Sequence, residues 1–162
     1  MIRATAAAAP PLPAFPFRWD AETEILSGRQ DVSDAPAGFT GSWEIESPTG
    51  AVVVLETTGG VLGGIEVVVW PDVTRAVLTM PHAAAPGRVI LEAPAGQSAG
   101  VIEIELPIAG AATASETLIR LSFGTPPARS VRIAENVIVD LDAAGGLAAL
   151  WLDALPPFEQ GA

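Results

Sequence analysis

Residues 41–70 read GSWEIESPTGAVVVLETTGGVLGGIEVVVW, and this stretch decides the fold. Its first six residues alternate apolar and polar side chains, which is the pattern of a strand with one buried face. Two β-branched runs follow. They are set apart by Pro-Thr-Gly at 48–50 and Thr-Gly-Gly at 58–60, which have the composition of turns. The stretch therefore predicts three successive strands, at 41–46, 51–56 and 61–70.

Runs of the same kind continue along the rest of the chain. The further predicted strands are 75–80, 88–92, 101–106, 117–123, 131–133 and 137–142. Strands of five or six residues that begin about ten residues apart are typical of sandwiches and barrels. Residues 147–155 fit an amphipathic helix as well as a strand, and comparison with 61–70 favours the strand. The sequence therefore predicts an all-β fold, an antiparallel sandwich or barrel built from repeated hairpins, with little helix.

Length and composition predict one domain with a proline-rich extension. The chain has 162 residues, of which 49% are hydrophobic and 17% charged. At about 150 residues per domain, this length allows one domain. We expect a Pro/Ala-rich arm at 1–16, a single all-β domain at 17–156 and a tail at 157–162. The arm either docks in a partner's groove or lies as a strap on its own domain, and we expect the strap.

The charged residues exclude several partners and chemistries. Nineteen acidic residues oppose eight basic ones, all of them Arg, and the net charge is −11. Such a chain has few cations for phosphates, so we expect no nucleic-acid binding and no adsorption to a membrane. The absence of Cys and Lys removes thiolate nucleophiles, cysteine zinc sites and phosphate-loop lysines. With no apolar run of about 18 residues, we expect a cytoplasmic protein, and the Ala, Gly, Pro and Arg bias suggests a bacterial source.

An internal repeat is centred on glycine-bearing turns. Three segments join a β-branched strand to small residues and a second strand, and each is closed by a proline; these copies span 41–71, 75–107 and 116–156. Each is a predicted hairpin. The glycines predicted to form structural turns are Gly60, Gly64, Gly96 and Gly145.

The last copy carries a resemblance to a known family. Residues 116–121 read ETLIRL and residues 136–147 read NVIVDLDAAGGL. This pattern is similar to a short bacterial domain family of unknown function, which opens with a D-x-L-Y-I-x-L strand and ends in a V-D-x-D-x-x-G-x-L-x-G-I-E hairpin. The first copy keeps Gly-Ile-Glu at 64–66 but has Leu55 and Thr57 in place of the two aspartates. The resemblance implies a fused and diverged repeat of that domain, and it implies no activity, cofactor or catalytic residue.

Two aspartates in the last copy are weak candidates for a metal site. Asp140 and Asp142 are two residues apart, just before a glycine pair. Carboxylate oxygens are ligands of Ca²⁺ and Mg²⁺, but further donors are missing from this stretch. The alternative is that Asp142 begins a type I turn that ends at Gly145, and we expect the turn.

Other carboxylates and the single histidine are candidates for catalysis. Glu44 and Glu46, like Glu103 and Glu105, are spaced as pairs, and glycoside hydrolysis uses two carboxyl groups. Solvated strand faces give the same spacing, and we expect such faces. His82 lies in a proline-bounded loop without a neighbouring nucleophile or carboxylate, so we expect an exposed loop residue.

The tryptophans give the remaining functional signal. They are candidates for an interface or a sugar-stacking platform, although we expect most of them in the core; they are Trp19, Trp43, Trp70 and Trp151. Without a catalytic constellation we expect no enzyme and no cofactor. The first hypothesis is a non-catalytic structural or interaction module that self-associates, most simply as a homodimer. The alternatives are a small-ligand or carbohydrate-binding β protein and, less favoured, a metal-assisted or carboxylate hydrolase.

Overall fold

Strands form the whole of the regular secondary structure that the computed structural model describes, which covers residues 1–32 and 35–158. In these residues no helix occurs, and so none that is long and apolar enough to cross a membrane. The strands are β1 (Ala4–Ala8), β2 (Arg18–Trp19), β3 (Leu26–Arg29), β4 (Thr40–Glu46), β5 (Val52–Thr58), β6 (Val61–Val69), β7 (Val73–Arg75), β8 (Ala85–Leu91), β9 (Ala99–Glu105), β10 (Ala109–Ala112), β11 (Ile119–Ser122), β12 (Arg129–Ala134), β13 (Val137–Leu141) and β14 (Leu147–Leu152). The all-β prediction is confirmed. The strands form one mixed sheet rather than an antiparallel one, because three pairs are parallel: β4 with β9, β7 with β10, and β8 with β12.

The sheet contains two ladders of six strands, and the first five strands of each follow the same order. The first ladder runs β2-β3-β6-β5-β4-β9 and the second runs β10-β11-β14-β13-β12-β8. In each ladder the first five strands are antiparallel to their neighbours, and the sixth is parallel to the fifth. β8 joins the two ladders, because it also pairs with β6 of the first ladder through Val61 and Ile90. It pairs with β1 as well.

The buried faces of the two ladders meet in one hydrophobic cluster. Leu55, Ile65 and Val67 from the first ladder are buried at alternate strand positions, as a period of two residues requires. Val139 and Leu150 enter the same cluster from the second ladder. Full burial of such a side chain stabilises the fold by about 1.5–3 kcal/mol. This shared core explains why short β-branched runs, with few charges, suffice to hold fourteen strands of the described chain.

β13 and β14 are buried on both faces. Their second face carries a small cluster around Ile138 and Trp151, and the irregular segment 76–84 covers it with Leu78 and Met80. A strand covered on both sides has apolar residues at consecutive positions. This continuous run also fits a helical period, which is why residues 147–155 matched both patterns. The strand prediction there is confirmed by β14.

Two predictions for the middle of the chain are wrong. Residues 75–80 are not a strand, because β7 ends at Arg75 and the chain then crosses the outer face of the second ladder. The copy at 75–107 is not a hairpin, since β8 and β9 pair with different ladders instead of with each other. The half-buried Ile102 and Ile104 of β9 pack against the core beside β4, which a local hairpin would not provide.

The Pro/Ala-rich arm is a strap on the body of the protein. β1 pairs antiparallel with β8 over five residues, and the Leu12 amide donates to the carbonyl of Ile133 at 2.7 Å. The buried side chain of Asn136 then accepts from the Phe15 amide and donates to the Phe15 carbonyl, both at 2.8 Å. An amide side chain thus replaces a strand partner where the prolines prevent regular pairing. The predicted tail at 157–162 lies, from residue 159 onward, outside the described residues.

Three of the four predicted turn glycines have left-handed backbone. The φ angles of Gly60, Gly96 and Gly145 are +85°, +84° and +81°, a region that favours glycine. Gly64 is not in a turn, because it lies inside β6 and pairs with Glu56 of β5. A Cβ at Gly64 would be 3.0 Å from the Cβ of Glu56, so this glycine permits close packing of a strand neighbour.

Candidate functional site

Two tryptophans and a phenylalanine form an open cleft of about 310 Å³, called here the aromatic cleft. The rings of Trp19 and Trp70 stack with centroids 5.4 Å apart, and Phe158 meets Trp19 edge-on at 5.1 Å. The Trp19 indole N–H donates to the Pro156 carbonyl and the Trp70 indole N–H to the Glu24 carbonyl, both at 2.9 Å. Since backbone carbonyls hold both indoles, the two tryptophan rings are fixed in the wall of the cleft.

Charged groups complete the wall of the aromatic cleft. Glu24, Arg75 and Glu116 line it together with the apolar side chains of Val73 and Ile119. Arg75 forms an ion pair with Glu116. Within the described residues, no ion pair involves Glu24. The cleft therefore holds two carboxylates and one guanidinium, with a formal charge of −1.

The two glutamates of the aromatic cleft share an unusual backbone conformation. Glu24 has φ +61° and Glu116 has φ +58°, and only one other non-glycine residue of the described chain, Ala154, has positive φ. The left-handed region costs a residue with a Cβ about 1–2 kcal/mol. Residues held in such conformations cluster at ligand-binding and catalytic sites. The coincidence of two of them in one cleft makes this cleft the leading candidate for a functional site.

Only two of the four tryptophans lie in the interior, where we expected most of them. Trp43 is buried and meets Phe39 edge-on at 5.9 Å. Trp151 is buried under the segment 76–84, and its indole N–H donates to Asp140 at 2.9 Å. Both side chains contribute to packing in the interior and do not form part of an open surface.

Asp140 is the centre of a buried polar network. Its side chain is almost fully buried and accepts hydrogen bonds from Ser130 at 2.6 Å and from the Trp151 indole. The Arg120 guanidinium lies 4.0 Å from Oδ2, the oxygen that also accepts from the indole, and 5.3 Å from the centre of the Trp151 ring. Because every oxygen of this carboxylate has a donor, the network accounts for the aspartate without a metal ion.

Asp142 forms the turn that the sequence suggested as the alternative to a metal site. The Gly145 amide donates to its carbonyl at 3.1 Å, and its carboxylate accepts from the amides of Gly146 and Ala144 and from the hydroxyl of Thr125. These hydrogen bonds, that from Gly146 above all, hold the pKa of Asp142 below its ordinary value of 3.8. The two aspartates therefore serve different local structures and do not share a site.

The predicted glutamate pairs lie side by side on the outer face of the first ladder. Glu44 is the register partner of Glu103, and Glu46 is the partner of Glu105, across the parallel pair β4 and β9. All four side chains are exposed or half-buried. No group of three or more His, Cys, Asp or Glu in the described ranges is arranged to hold a metal ion. His82 is exposed within the segment 76–84, as expected.

Comparison with known proteins adds no assignment to this geometry. No protein-family model matches the chain, and a search of curated proteins likewise found no match.

Sequence reasoning named only two of the nine described residues that line the aromatic cleft. Trp19 and Trp70 were among the four tryptophans proposed for an interface or a sugar-stacking platform. No local sequence pattern marks the charged residues of the cleft, Glu24, Arg75 and Glu116. They come together only in the folded protein, from turns and strands that are far apart in the sequence. Positive φ at a glutamate also has no sequence signal, since glycine or asparagine is the usual occupant of that region.

Proposed function

We propose that the protein is a non-catalytic interaction module that forms a homodimer through β9. The position of β9 is the main support, because it ends the sheet and pairs with β4 alone among the described strands. It is seven residues long, and Val101 near its middle is 54% exposed. A long edge strand with an exposed apolar side chain is a template for pairing with another chain. The chain also has no lysine with which to block such an edge.

The backbone of β9 is oriented for this pairing. The Ser98 carbonyl accepts from the Thr40 amide at 3.0 Å, and the Leu106 amide donates to the Glu46 carbonyl at 3.2 Å. Successive residues of a strand direct their backbone groups to opposite sides. The even-numbered residues of β9 therefore bond to β4, and the odd-numbered ones, including Val101, direct N–H and C=O groups away from the sheet.

Charge favours one register for the proposed dimer. An antiparallel pair with its two-fold axis at Val101 sets the two valines opposite each other and Glu103 opposite Ala99 of the second copy. An axis at Glu103 would instead oppose two glutamates, and like charges directly opposite destabilise a strand pair. The valine-centred register therefore covers apolar surface without opposing carboxylates.

Sedimentation equilibrium of Val101→Pro tests the proposal. Proline removes an N–H that faces away from β4, so the monomer keeps its hydrogen bonds while strand addition is blocked. We expect a wild-type dimer that tightens as salt rises from about 0.02 to 0.5 M, because screening weakens the repulsion between acidic copies. Val69→Glu is the matched control, since Val69 is 47% exposed but lies on β6. A wild type that is monomeric at every concentration down to micromolar, or a proline variant that still dimerises, would contradict the proposal.

We also propose that the chain is a fused and diverged repeat of the small bacterial domain that its last copy resembles. The support is the strand order shared by the two ladders, in particular β3-β6-β5-β4 and β11-β14-β13-β12. The repeat aligns Gly60 and Gly64 of the first copy with Gly145 and Ala149 of the last copy. Gly64 pairs with Glu56 and Ala149 pairs with Asp140, so in this alignment Glu56, and not Leu55, takes the place of Asp140. A member of that family with a different strand order would contradict this origin.

A small-ligand-binding function is the second candidate, and a separate observation favours it. The aromatic cleft combines fixed rings, strained glutamates and open space, and it lies on strands other than β9. Binding there is compatible with either oligomeric state.

A further inference from the structure

We propose that the aromatic cleft binds a small organic cation, such as a trimethylammonium group. The cleft has the volume and the mixed apolar and polar wall of a small-molecule site. Its distinctive feature is the combination of three aromatic rings with an excess of negative charge. The inference is independent of the proposed dimer, since none of the residues that line the cleft belongs to β9.

The rings supply the first half of the recognition. Trp19, Trp70 and Phe158 all line the cleft, and the edge-on contact between Trp19 and Phe158, with planes 70° apart, turns two ring faces in different directions. The faces of aromatic rings are electrically negative, and a cation within about 6 Å of a ring centre is attracted to them. Quaternary ammonium groups are bound by cages of this composition.

The carboxylates supply the second half. Arg75 neutralises Glu116, which leaves the charge of Glu24 to a ligand. The backbone of Glu24 is held in place from both sides: its amide donates to the Asp20 carbonyl at 2.8 Å, and its carbonyl accepts from the Trp70 indole. The same residue thus fixes one ring of the cleft and carries its uncompensated charge.

The net charge decides between a cation and a neutral sugar. A pyranose stacks on an aromatic face through its C–H groups and can donate its hydroxyls to the carboxylates, but it has no charge to offset the net charge of −1 of the cleft. An organic cation uses the rings and the charge together. The net charge of −11 on the whole chain also favours the approach of cations over that of anions.

Calorimetric titration with choline and with 3,3-dimethyl-1-butanol is the direct test. The two molecules have the same shape, but only choline is charged. We expect choline to bind at least about tenfold more tightly than the neutral analogue. Equal affinity for the two, binding of glucose or cellobiose without choline, or no binding of either probe would each overturn the proposal.

Variants then assign the binding to this cleft. Glu24→Gln should weaken choline binding about tenfold, while Glu22→Gln, which changes the same charge in the same turn outside the cleft, should leave it unchanged. Trp70→Phe keeps a ring and should weaken binding severalfold. Thermal unfolding of each variant checks the fold, so that a loss of affinity is read only from folded protein. Choline binding that survives both cleft variants would place the site elsewhere and overturn the proposal.

Discussion

Replacing Asn136 by Ala should release the N-terminal strap and destabilise the whole fold. The asparagine side chain is 7% exposed and makes two hydrogen bonds to the backbone of Phe15, which lies 121 residues away in sequence. Without it the buried Phe15 amide has no partner, whereas the Phe15 carbonyl still accepts from the Phe17 amide at 2.9 Å. The substitution therefore removes one hydrogen bond outright and leaves one buried donor unsatisfied.

The size of the effect follows from these two losses. An unsatisfied buried donor costs about 1–3 kcal/mol, and the second lost hydrogen bond about 0.5–1.5 kcal/mol. We therefore expect Asn136→Ala to lower the free energy of unfolding by about 2–4 kcal/mol. For a chain of this length that corresponds to a fall in Tm of roughly 10 °C.

Urea denaturation combined with hydrogen exchange measures both the size and the place of the loss. The Phe15 amide should exchange much faster in the variant, and the amides of β1 should follow because the strap is held at both places. Arg132→Ala is the control, since Arg132 bonds to the carbonyl of Glu135 in the same turn but is more exposed to solvent. A loss below about 1 kcal/mol with unchanged Phe15 protection would refute the reasoning.

Two further outcomes follow from the turns. Gly60→Ala should lower the free energy of unfolding by more than about 1 kcal/mol, and by more than Gly145→Ala does. Both glycines have positive φ, but only at Gly60 would a Cβ come within 2.9 Å of a side chain, that of Ile90. Equal losses of stability in urea denaturation would contradict this. Asp142→Asn should remove part of the stability at neutral pH but little of it in acid. The folded pKa of Asp142 is lowered, so its stabilising effect is complete above the ordinary value of 3.8 and is lost as pH falls through the lowered value. Unfolding curves of the two proteins between pH 2 and 7 should therefore converge at the acid end, and a constant difference would count against the hydrogen bonds from Gly146.

The sequence predicted strands where local patterns were strong. Alternation at 41–46 and turn glycines at 58–60 placed β4, β5 and β6 to within a few residues. It missed β1, since Ala4–Ala8 has little strand propensity, and it forms because β8 offers it a partner.

Partners of strands were much harder to predict than the strands themselves. The residues of β8 and β9 have the pattern of a hairpin, but each pairs in parallel with a strand more than 40 residues away. Such a pairing depends on which edges the finished core leaves open, and no window of sequence contains that information. The same holds for the aromatic cleft, where Trp19 and Phe158 meet from opposite ends of the chain.

The large sequence separation between paired segments affects how the chain can fold during synthesis. The strands β2 to β6 of the first ladder have all been synthesised once the chain reaches residue 69. The sixth strand of this ladder, β9, is complete only at residue 105. The strap waits longer still, because Phe15 is fixed only when Asn136 has been made. The β4 edge therefore stays open until β9 has been made, and the Phe15 end of the strap stays unanchored until residue 136 has been made. Distant pairings of this kind form slowly. The N-terminal strap can therefore be fully anchored only after most of the chain has been translated.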